Sequence, residues 1–568
     1  MVSLGKYLQV PRLRTRESFF DYIKKWVLLS TVLGFLTGII VALFDYVTNL
    51  TLWSYFSTLF TQNPLLVIPI VFMGLLVSGF LLSRSATPEG SGTEEIVEVY
   101  NNPDSKLHLV SFPLKMLAAV ITIGLGGSAG QEGPSVYAGG VVGAWIWRKL
   151  KRFHLSDDDR RTLILAGAAA GIGAIFKAPL TGTIFALEVP YKDDLAHDAL
   201  VPSLVAAASS YITLIAIDGS EPLFKFPGIT SFTLTDMAAA AILGLLVGIA
   251  ALGFIVMSKS VTAQLQRFGT KFYYKALVGG CVLSIIGVSS VWLFHGPYPL
   301  GISYSLINLS LTPNTFTGAL LALFAMKLVA TSFTLGSTGV GGIFIPQIVM
   351  GASLGGFFGE AFFPSKVDLF VAIGMASFLA AGYKTPLAAV AFVAETTAGP
   401  GYLIPSLVAA AVAYSISGEA SVSGHQKLRD EIDVTQIAHL TANDVMTKKV
   451  VAVPGELSVL DFVEEYLYPY QYKSFPVVDK DGLVGRISMA EVRAVPRQRW
   501  FDTRIADVCN RDIHPAYPDS KLQDVLDVMH NKGLGRIPIV DRSRPKRVIG
   551  IVAKSDIIRA LEKERLAS

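Results

Sequence analysis

Residues 176–188 read FKAPLTGTIFALE, and residues 383–395 read YKTPLAAVAFVAE. Lys177 and Lys384, Pro179 and Pro386, Leu180 and Leu387, Phe185 and Phe392, and Glu188 and Glu395 recur in register. Each stretch follows a Gly-rich apolar segment, GLGGSAGQEGPS at 124–135 and TLGSTGVGGIFIPQ at 334–347. Two related halves, each broken by Gly and Pro within apolar sequence, predict a membrane protein with a site where the halves meet. Helices broken at membrane depth expose backbone N–H groups, and a helix N-terminus carries partial positive charge. The ligand such a site calls for is an anion.

The chain has 568 residues, 52% of them hydrophobic. Apolar runs at 27–45, 65–82, 109–126, 162–176, 199–217, 237–257, 316–331 and 402–416 approach the length that crosses a bilayer core of roughly 30 Å. Several are short and Gly-interrupted, which predicts tilted and partial helices. A soluble core would not need so many adjacent apolar runs. The net charge of +4 is too small to imply nucleic acid. Lys6, Arg12, Arg14, Arg16, Lys24 and Lys25 precede the first run, and Arg148, Lys149, Lys151 and Arg152 follow another. The positive-inside bias puts the N-terminus and the 148–161 loop in the cytoplasm, with the chain integral to the cell membrane. Two cysteines, Cys281 and Cys509, imply no disulfide framework and fit a reduced cytoplasmic tail. The first apolar run starts late, is long and lacks a small-residue cleavage site, so no signal peptide is expected.

The expected organisation is a cytoplasmic N-terminal segment at 1–26, a transmembrane domain at 27–418 and a linker at 419–440. A soluble tail follows, and it is itself duplicated. PVVDKDGLVGRISMAEV at 476–492 is similar to PIVDRSRPKRVIGIVAKSDI at 538–557. Alternating β-branched residues and turn formers predict two strands and a helix start in each copy. An amphipathic helical segment precedes each, LSVLDFVEEYL and LQDVLDVMHNK. The tail resembles a tandem pair of CBS domains, at 441–503 and 504–568. In nucleotide-binding members, the resemblance implies, an acidic residue takes the ribose hydroxyls and a Ser or Thr lies near the phosphates. Asp556 fits the ribose role, but Ala553 has lost the hydroxyl. Ser488 keeps it, with Glu491 as the acid. An adenine nucleotide is the implied ligand of these positions. The alternative is that Asp556 caps the following helix and that the tail is a dimerisation platform.

Three Gly-rich segments carry the chemistry of the membrane part. In Gly90-Ser91-Gly92-Thr93-Glu94-Glu95, the spacing of Ser91 and Glu94 is that of a capping box at a helix start. The functional reading turns the Ser91 hydroxyl toward an anion. In Gly130-Gln131-Glu132-Gly133-Pro134, an ionisable residue inside a membrane domain costs about 3 kcal/mol at a helix centre, which marks Glu132 as functional. A carboxylate at a helix start competes with an anion for the same place, and protonation releases it. The alternative for Glu132 is a cap on the helix entered at Pro134. In Gly341-Gly342-Ile343-Phe344-Ile345-Pro346, glycines allow close backbone approach and Pro suits a first helical turn. The N–H groups of Ile343 and Phe344 then bind an anion without side-chain charge, and an uncharged site lets the ion leave. The alternative is helix packing through small residues.

The three segments, in this order, resemble the CLC family of chloride channels and proton-coupled chloride transporters. The duplicated Pro-Leu segments and the CBS tail fit it too, so the resemblance spans nearly the whole chain. It implies an all-α polytopic fold, an inverted repeat of broken, tilted helices, plus an α/β tandem CBS domain. It further implies a homodimer in the lipid bilayer that transports chloride, needs no cofactor and is not an enzyme. By resemblance Ser91, Gly342, Ile343, Phe344 and Ser423 contact the anion and Glu132 is the gate. Many proton-coupled members carry a second glutamate directly after the residue matching Glu188; here that position is Val189. Valine carries no proton, so passive conduction is the favoured mode. The alternative is proton–chloride exchange by another internal route.

Other departures bear on the pathway. Thr93-Glu94 stands where the family has an apolar residue and Pro. Gln131 replaces a usual Lys or Arg, removing a positive charge. Ser423 stands where a Tyr is usual at the inner mouth, with Tyr414 nearby in sequence. Lys177 and Lys384 are read as snorkelling from helix ends to water. Two other classes compete. A CBS-regulated cation transporter needs clustered intramembrane carboxylates, and Glu132, Glu188 and Glu395 are few and each adjoins a broken helix. A membrane-anchored nucleotide sensor without transport does not explain the retained Glu132 and GGIFIP.

Overall fold

A computed structural model describes residues 16–85, 92–102, 105, 107–151, 155–224, 226, 227, 232–269, 271–312, 317–397, 400–427, 440–470, 472, 474–532, 534–557, 559 and 560. The chain divides into two units, Met1–Arg429 and Asp430–Ser568. Ser91 and residues 428–439 of the expected linker lie outside the described residues. Residues 419–427, read as the start of that linker, are bonded to the first unit.

The first unit is helical throughout. Its first half comprises α1 (Arg16–Asp45), α2 (Ser54–Gln62), α3 (Val67–Ser83), α4 (Thr93–Asn101), α5 (Phe112–Gly124), α6 (Glu132–Leu150), α7 (Asp157–Ile175), α8 (Pro179–Glu188) and α9 (Leu200–Asp218). A π-helical stretch, Tyr46–Trp53, joins α1 to α2. The second half repeats the order with α10 (Leu234–Gln266), α11 (Phe272–Phe294), α12 (Tyr304–Ser310), α13 (Thr317–Gly336), α14 (Phe344–Phe362), α15 (Val367–Tyr383), α16 (Pro386–Thr396) and α17 (Leu403–Ile416). Among the described residues seven helical stretches are long and apolar enough to cross a membrane, and three shorter ones are also apolar.

The helices lining the interior of this unit are not amphipathic. From Leu369 to Tyr383 every residue of α15 is buried, and α14 is buried along most of its length. Such burial on all sides requires close helix approach, which glycine supplies. A Cβ on Gly139 of α6 would lie 1.8 Å from the Gly167 carbonyl oxygen of α7. In the second half, a Cβ on Gly351 of α14 would lie 2.2 Å from the Gly374 carbonyl oxygen of α15. The two halves therefore use the same glycine contact between equivalent helices.

The repeated segments show how the halves meet. Lys177 and Lys384 take left-handed backbone, φ 51° and 61°, just past α7 and α15, and Pro179 and Pro386 then open α8 and α16. Prolines suit this position because its N–H has no helical partner. The remaining N-terminal donors are capped across the repeat. Leu387 N–H and Ala388 N–H of α16 donate to Glu188, at 3.1 and 2.9 Å. Leu180 N–H and Thr181 N–H of α8 donate to Glu395, at 2.9 and 2.7 Å, as does the Thr181 hydroxyl at 2.6 Å. Each glutamate sits at the C-terminal end of its own helix, so α8 and α16 run antiparallel and the repeat is inverted.

Snorkelling of the two repeat lysines is corrected by the structure. Lys384 is buried, its Nζ bonding the Tyr414 carbonyl at 3.0 Å and the Ser417 hydroxyl at the end of α17. Lys177 pairs with Asp218 at 2.8 Å and bonds the Gly219 carbonyl at 2.9 Å, at the end of α9. Both neutralise the negative end of a helix dipole rather than reaching for water.

The second unit carries two small sheets. In the first copy β1 (Val453–Pro454) pairs in parallel with β2 (Ser474–Asp479), and β2 pairs antiparallel with β3 (Gly482–Ser488). In the second copy β4 (Arg536–Asp541) pairs antiparallel with β5 (Arg544–Ala553). Each copy buries its own apolar cluster, one around Phe462 and Phe475, the other around Met529 and Ile537.

Removing either cross-repeat cap strands backbone donors at a broken helix. Glu395→Ala and Glu188→Ala are each expected to destabilise by about 2 kcal/mol, the cost of unpaired polar groups. Thermal unfolding of detergent-solubilised protein, followed by tryptophan fluorescence, should show a lower midpoint for both, with the glutamines closer to wild type.

Candidate functional site

The two Gly-rich segments meet at the centre of the membrane unit. Gly130 and Gly342 exchange both backbone hydrogen bonds, 2.9 and 2.7 Å, as an isolated antiparallel bridge. This bridge brings the N-terminus of α6 to the N-terminus of α14. Glu132, the first residue of α6, is fully buried and reaches across it. Its Oε1 accepts the Phe344 N–H at 2.5 Å and the Ile345 N–H at 3.3 Å. Its Oε2 is buried without a hydrogen-bond partner. The carboxylate thus occupies the positive end of α14, in the opposite half, rather than capping only its own helix. Glycine is required on both sides of it. A Cβ on Gly130 would lie 1.9 Å from Oε2, and one on Gly342 would lie 2.1 Å from Oε1.

Phe344 is held by rings from both halves. Phe176, Phe185 and Phe392 surround it, with centroids 4.8, 5.2 and 5.3 Å away. Tyr383 packs edge-on to Phe185 at 5.4 Å. Phe185 and Phe392 are repeat mates, and so are Phe176 and Tyr383. Edge-on aromatic pairs of this kind add about 0.5–1.5 kcal/mol each beyond burial. The cage fixes the Phe344 backbone, and with it the direction of its N–H.

Lys327 of α13 is a residue the motif reading passed over. It is fully buried, and its Nζ bonds the Ser303 hydroxyl at 2.7 Å and the Gly301 carbonyl at 3.2 Å. It lies within electrostatic reach of Glu132. A lysine inside the apolar run 316–331 was the signal available in the sequence. Gln131 is buried, with Asp45 beside its amide. The buried amine near Glu132 therefore comes from α13.

At the end of the unit from which the chain leaves toward the tail, residues 421–427 fold over the C-terminal ends of α8 and α15. Val422 N–H donates to the Gly382 carbonyl at 2.9 Å. The Gln426 amide donates to the carbonyls of Val189 and Tyr383, at 3.0 and 2.8 Å. Val189 is buried beneath this segment. Ser423 is buried, its N–H held by the Ser421 hydroxyl at 3.1 Å. Tyr414 is spent elsewhere, donating to the Lys192 carbonyl at 2.9 Å. Tyr383 instead brings a fully buried hydroxyl to this end, near the Ile343 N–H and Thr93.

Of the expected capping box, Ser91 lies outside the described residues and Glu94 is engaged with another segment. The helix begins at Thr93 behind Gly92, whose φ of 89° only glycine takes readily, and no side chain caps it. A Cβ on Gly92 would lie 2.3 Å from the Gly133 carbonyl oxygen. Glu94 does not turn back; its Oε2 accepts the Gly424 N–H at 3.0 Å.

In the tail, the three candidate nucleotide contacts are engaged locally. Ser488 and Glu491 form a capping box at α18 (Met489–Ala494), with Ser488 N–H donating to Glu491 at 2.8 Å. Asp556 accepts the Ala553 N–H at 2.9 Å and pairs with Arg559 at 3.1 Å. Burial raises the Cys509 thiol above its ordinary pKa.

An inverted helical repeat with a carboxylate bound to the N-terminus of the opposite half defines a membrane transport protein. The chain belongs to the voltage gated chloride channel family, whose model matches residues 71–418. The CBS domain model matches residues 442–497 and 505–563. The chain is 27% identical to the H(+)/Cl(-) exchange transporter ClcA of Salmonella paratyphi B, over 70% of this chain and 88% of that one. A solved CLC-type fluoride/proton antiporter superposes with a TM-score of 0.63 at 24% identity, covering 72% of this chain and 99% of that one. A eukaryotic CLC transporter superposes at 0.59 and 18% identity, covering 94% and 98%.

Glycine substitutions separate crowded from open positions. Gly342→Ala is expected to cost 1–3 kcal/mol or more through overpacking against Glu132. Gly253→Ala on α10, where a Cβ meets nothing within 4 Å, should be neutral or stabilising by up to ~1 kcal/mol. Unfolding midpoints of the two purified variants test the contrast.

Proposed function

We propose that this protein moves chloride across a membrane in exchange for protons, with Glu132 as the gate shared by both ions. The observation that carries the reading is the Glu132 carboxylate on the N–H groups of Phe344 and Ile345. Those donors, together with Ile343 N–H, Gly342 and Ser91, are the anion's place. An anion enters when the carboxylate leaves, and the carboxylate leaves most readily when it takes a proton and loses its charge. One group then couples the two movements. Lys327 places a buried amine within electrostatic reach of this site, on a different element from Gln131, where the usual charge is lost.

Val189 favours passive conduction, and that is the second reading. Exchange is preferred on two grounds. The relative ClcA is named as an exchanger. The inner end of the pathway here also holds buried hydroxyls of Tyr383, Thr93 and Ser423 that can relay a proton. The tail is read as a structural, dimer-forming platform, since Ser488, Glu491 and Asp556 are committed to helix caps. No step is assigned to a nucleotide. The working unit is a homodimer with the N-terminus and tail cytoplasmic.

The test is chloride efflux from liposomes holding the purified full-length protein, with proton movement recorded together. Exchange predicts protons moving against chloride and a reversal potential that shifts with a pH gradient. Glu132→Gln should keep chloride flux and abolish proton movement. A wild-type reversal potential set by chloride alone would replace exchange by passive conduction. Absence of chloride flux would overturn the transport reading.

A further inference from the structure

Exchange needs a proton-carrying group on the inner side of Glu132, and Val189 is not one. We propose that Glu94 is that group, passing protons to Glu132 by way of the Tyr383 hydroxyl. The inference rests on the exchange reading of the same pathway. Its geometry begins with the start of α4. Gly92 precedes the first helical residue, Thr93, and the Glu94 carboxylate turns toward Gly424. One carboxylate oxygen holds the Gly424 N–H; the other, Oε1, is buried and unpartnered, while the residue as a whole keeps part of its surface accessible. A group reachable from one side and open toward the interior on the other is what a proton entry requires.

The interior beyond it is lined by hydroxyls. Thr93 and Tyr383 are fully buried and Ser423 nearly so, with the Tyr383 hydroxyl beside Thr93 and the Ile343 N–H, and Ser423 beside Glu94. Buried hydroxyls that adjoin one another and a carboxylate form a polar chain along which a proton can be handed. Tyr383 is within electrostatic reach of both Glu94 and Glu132, and beside Thr93 and the Ile343 N–H. It is also the one hydroxyl in the aromatic cage, standing where its repeat mate is Phe176. The proton step balances through these groups. Protonated Glu94 releases its proton into the hydroxyl chain as Tyr383 gives its own hydroxyl proton toward the Glu132 carboxylate. Tyr383 is left as it began, Glu132 is neutral, and Glu94 is a carboxylate ready to be refilled. The charged and titratable groups facing Glu94 are His425 on the covering segment, Lys259 of α10, and Tyr383. Its neighbour Glu95 is occupied by Lys115.

The experiment compares wild type, Glu94→Gln, Tyr383→Phe and the control Glu98→Gln as full-length proteins in liposomes, with chloride and proton movement recorded together. The expected result is that Glu94→Gln keeps chloride flux within a few-fold and loses proton movement at least ~10-fold. Tyr383→Phe should slow proton movement more than chloride flux, and Glu98→Gln should leave the ratio of the two unchanged. Exchange by wild type with undiminished proton movement in Glu94→Gln would overturn the role of Glu94 and leave the exchange reading standing. Chloride flux without protons in wild type would overturn both. Should Glu94→Gln carry no chloride, Glu94→Asp decides. Chloride and protons restored together support the relay. Chloride alone, or continued inactivity, makes Glu94 structural and overturns it.

Discussion

Backbone donors at broken helices inside a membrane have no water to bond, and this chain satisfies them with carboxylates from the opposite half. Glu188 caps α16, Glu395 caps α8, and Glu132 caps α14. An unpaired polar group in hydrocarbon costs several kcal/mol, so each of these bonds obliges the two halves to stay together in one orientation. The inverted arrangement follows: a residue at the end of one helix reaches the start of its mate only when the two run antiparallel. The lysines at 177 and 384 complete the scheme by bonding helix C-terminal ends.

The three caps are not equivalent. Glu188 and Glu395 have both oxygens engaged with the helix they cap. Glu132 uses one oxygen and leaves the other buried and unpartnered. The donors it covers are backbone N–H groups, which suit chloride equally well. A cap that an anion can replace is a gate, whereas a fully bonded cap is a joint. The same physical device thus joins the halves at two positions and, in the proposed function, serves transport at the third. Gly130 and Gly342, lacking side chains, leave the room that the Glu132 carboxylate occupies.

Much of this was legible along the chain. The repeat at 176–188 and 383–395 announced two related halves, and the Gly-Pro breaks announced helix N-termini inside the membrane. Glu132 stood out because a carboxylate in apolar sequence is costly. The division of the tail into two copies followed from its strand patterns. Other readings failed for a common reason: they took a residue's partner to be near it in sequence. Glu94 was paired with Ser91, three residues away, but bonds Gly424. Lys384 was given to water, but bonds the end of α17. The inner hydroxyl was sought at 423, with Tyr414 nearby in sequence; Ser423 is buried there, and Tyr383 brings a further buried hydroxyl.

The sequence by itself determined the class of fold, the places where helices break and the residue types at each break, because periodicity, Gly, Pro and misplaced charge act locally. Only the tertiary structure decided which carboxylate meets which helix. Those bonds join residues some 200 positions apart. Their pairing is set by the inverted packing of the halves, a long-range geometry that no local pattern encodes. The same holds for Lys327 beside Glu132 and for Tyr383 between Glu132 and Glu94. The apolar run around Lys327 was a signal, but which groups it and Tyr383 face was decided by the packing.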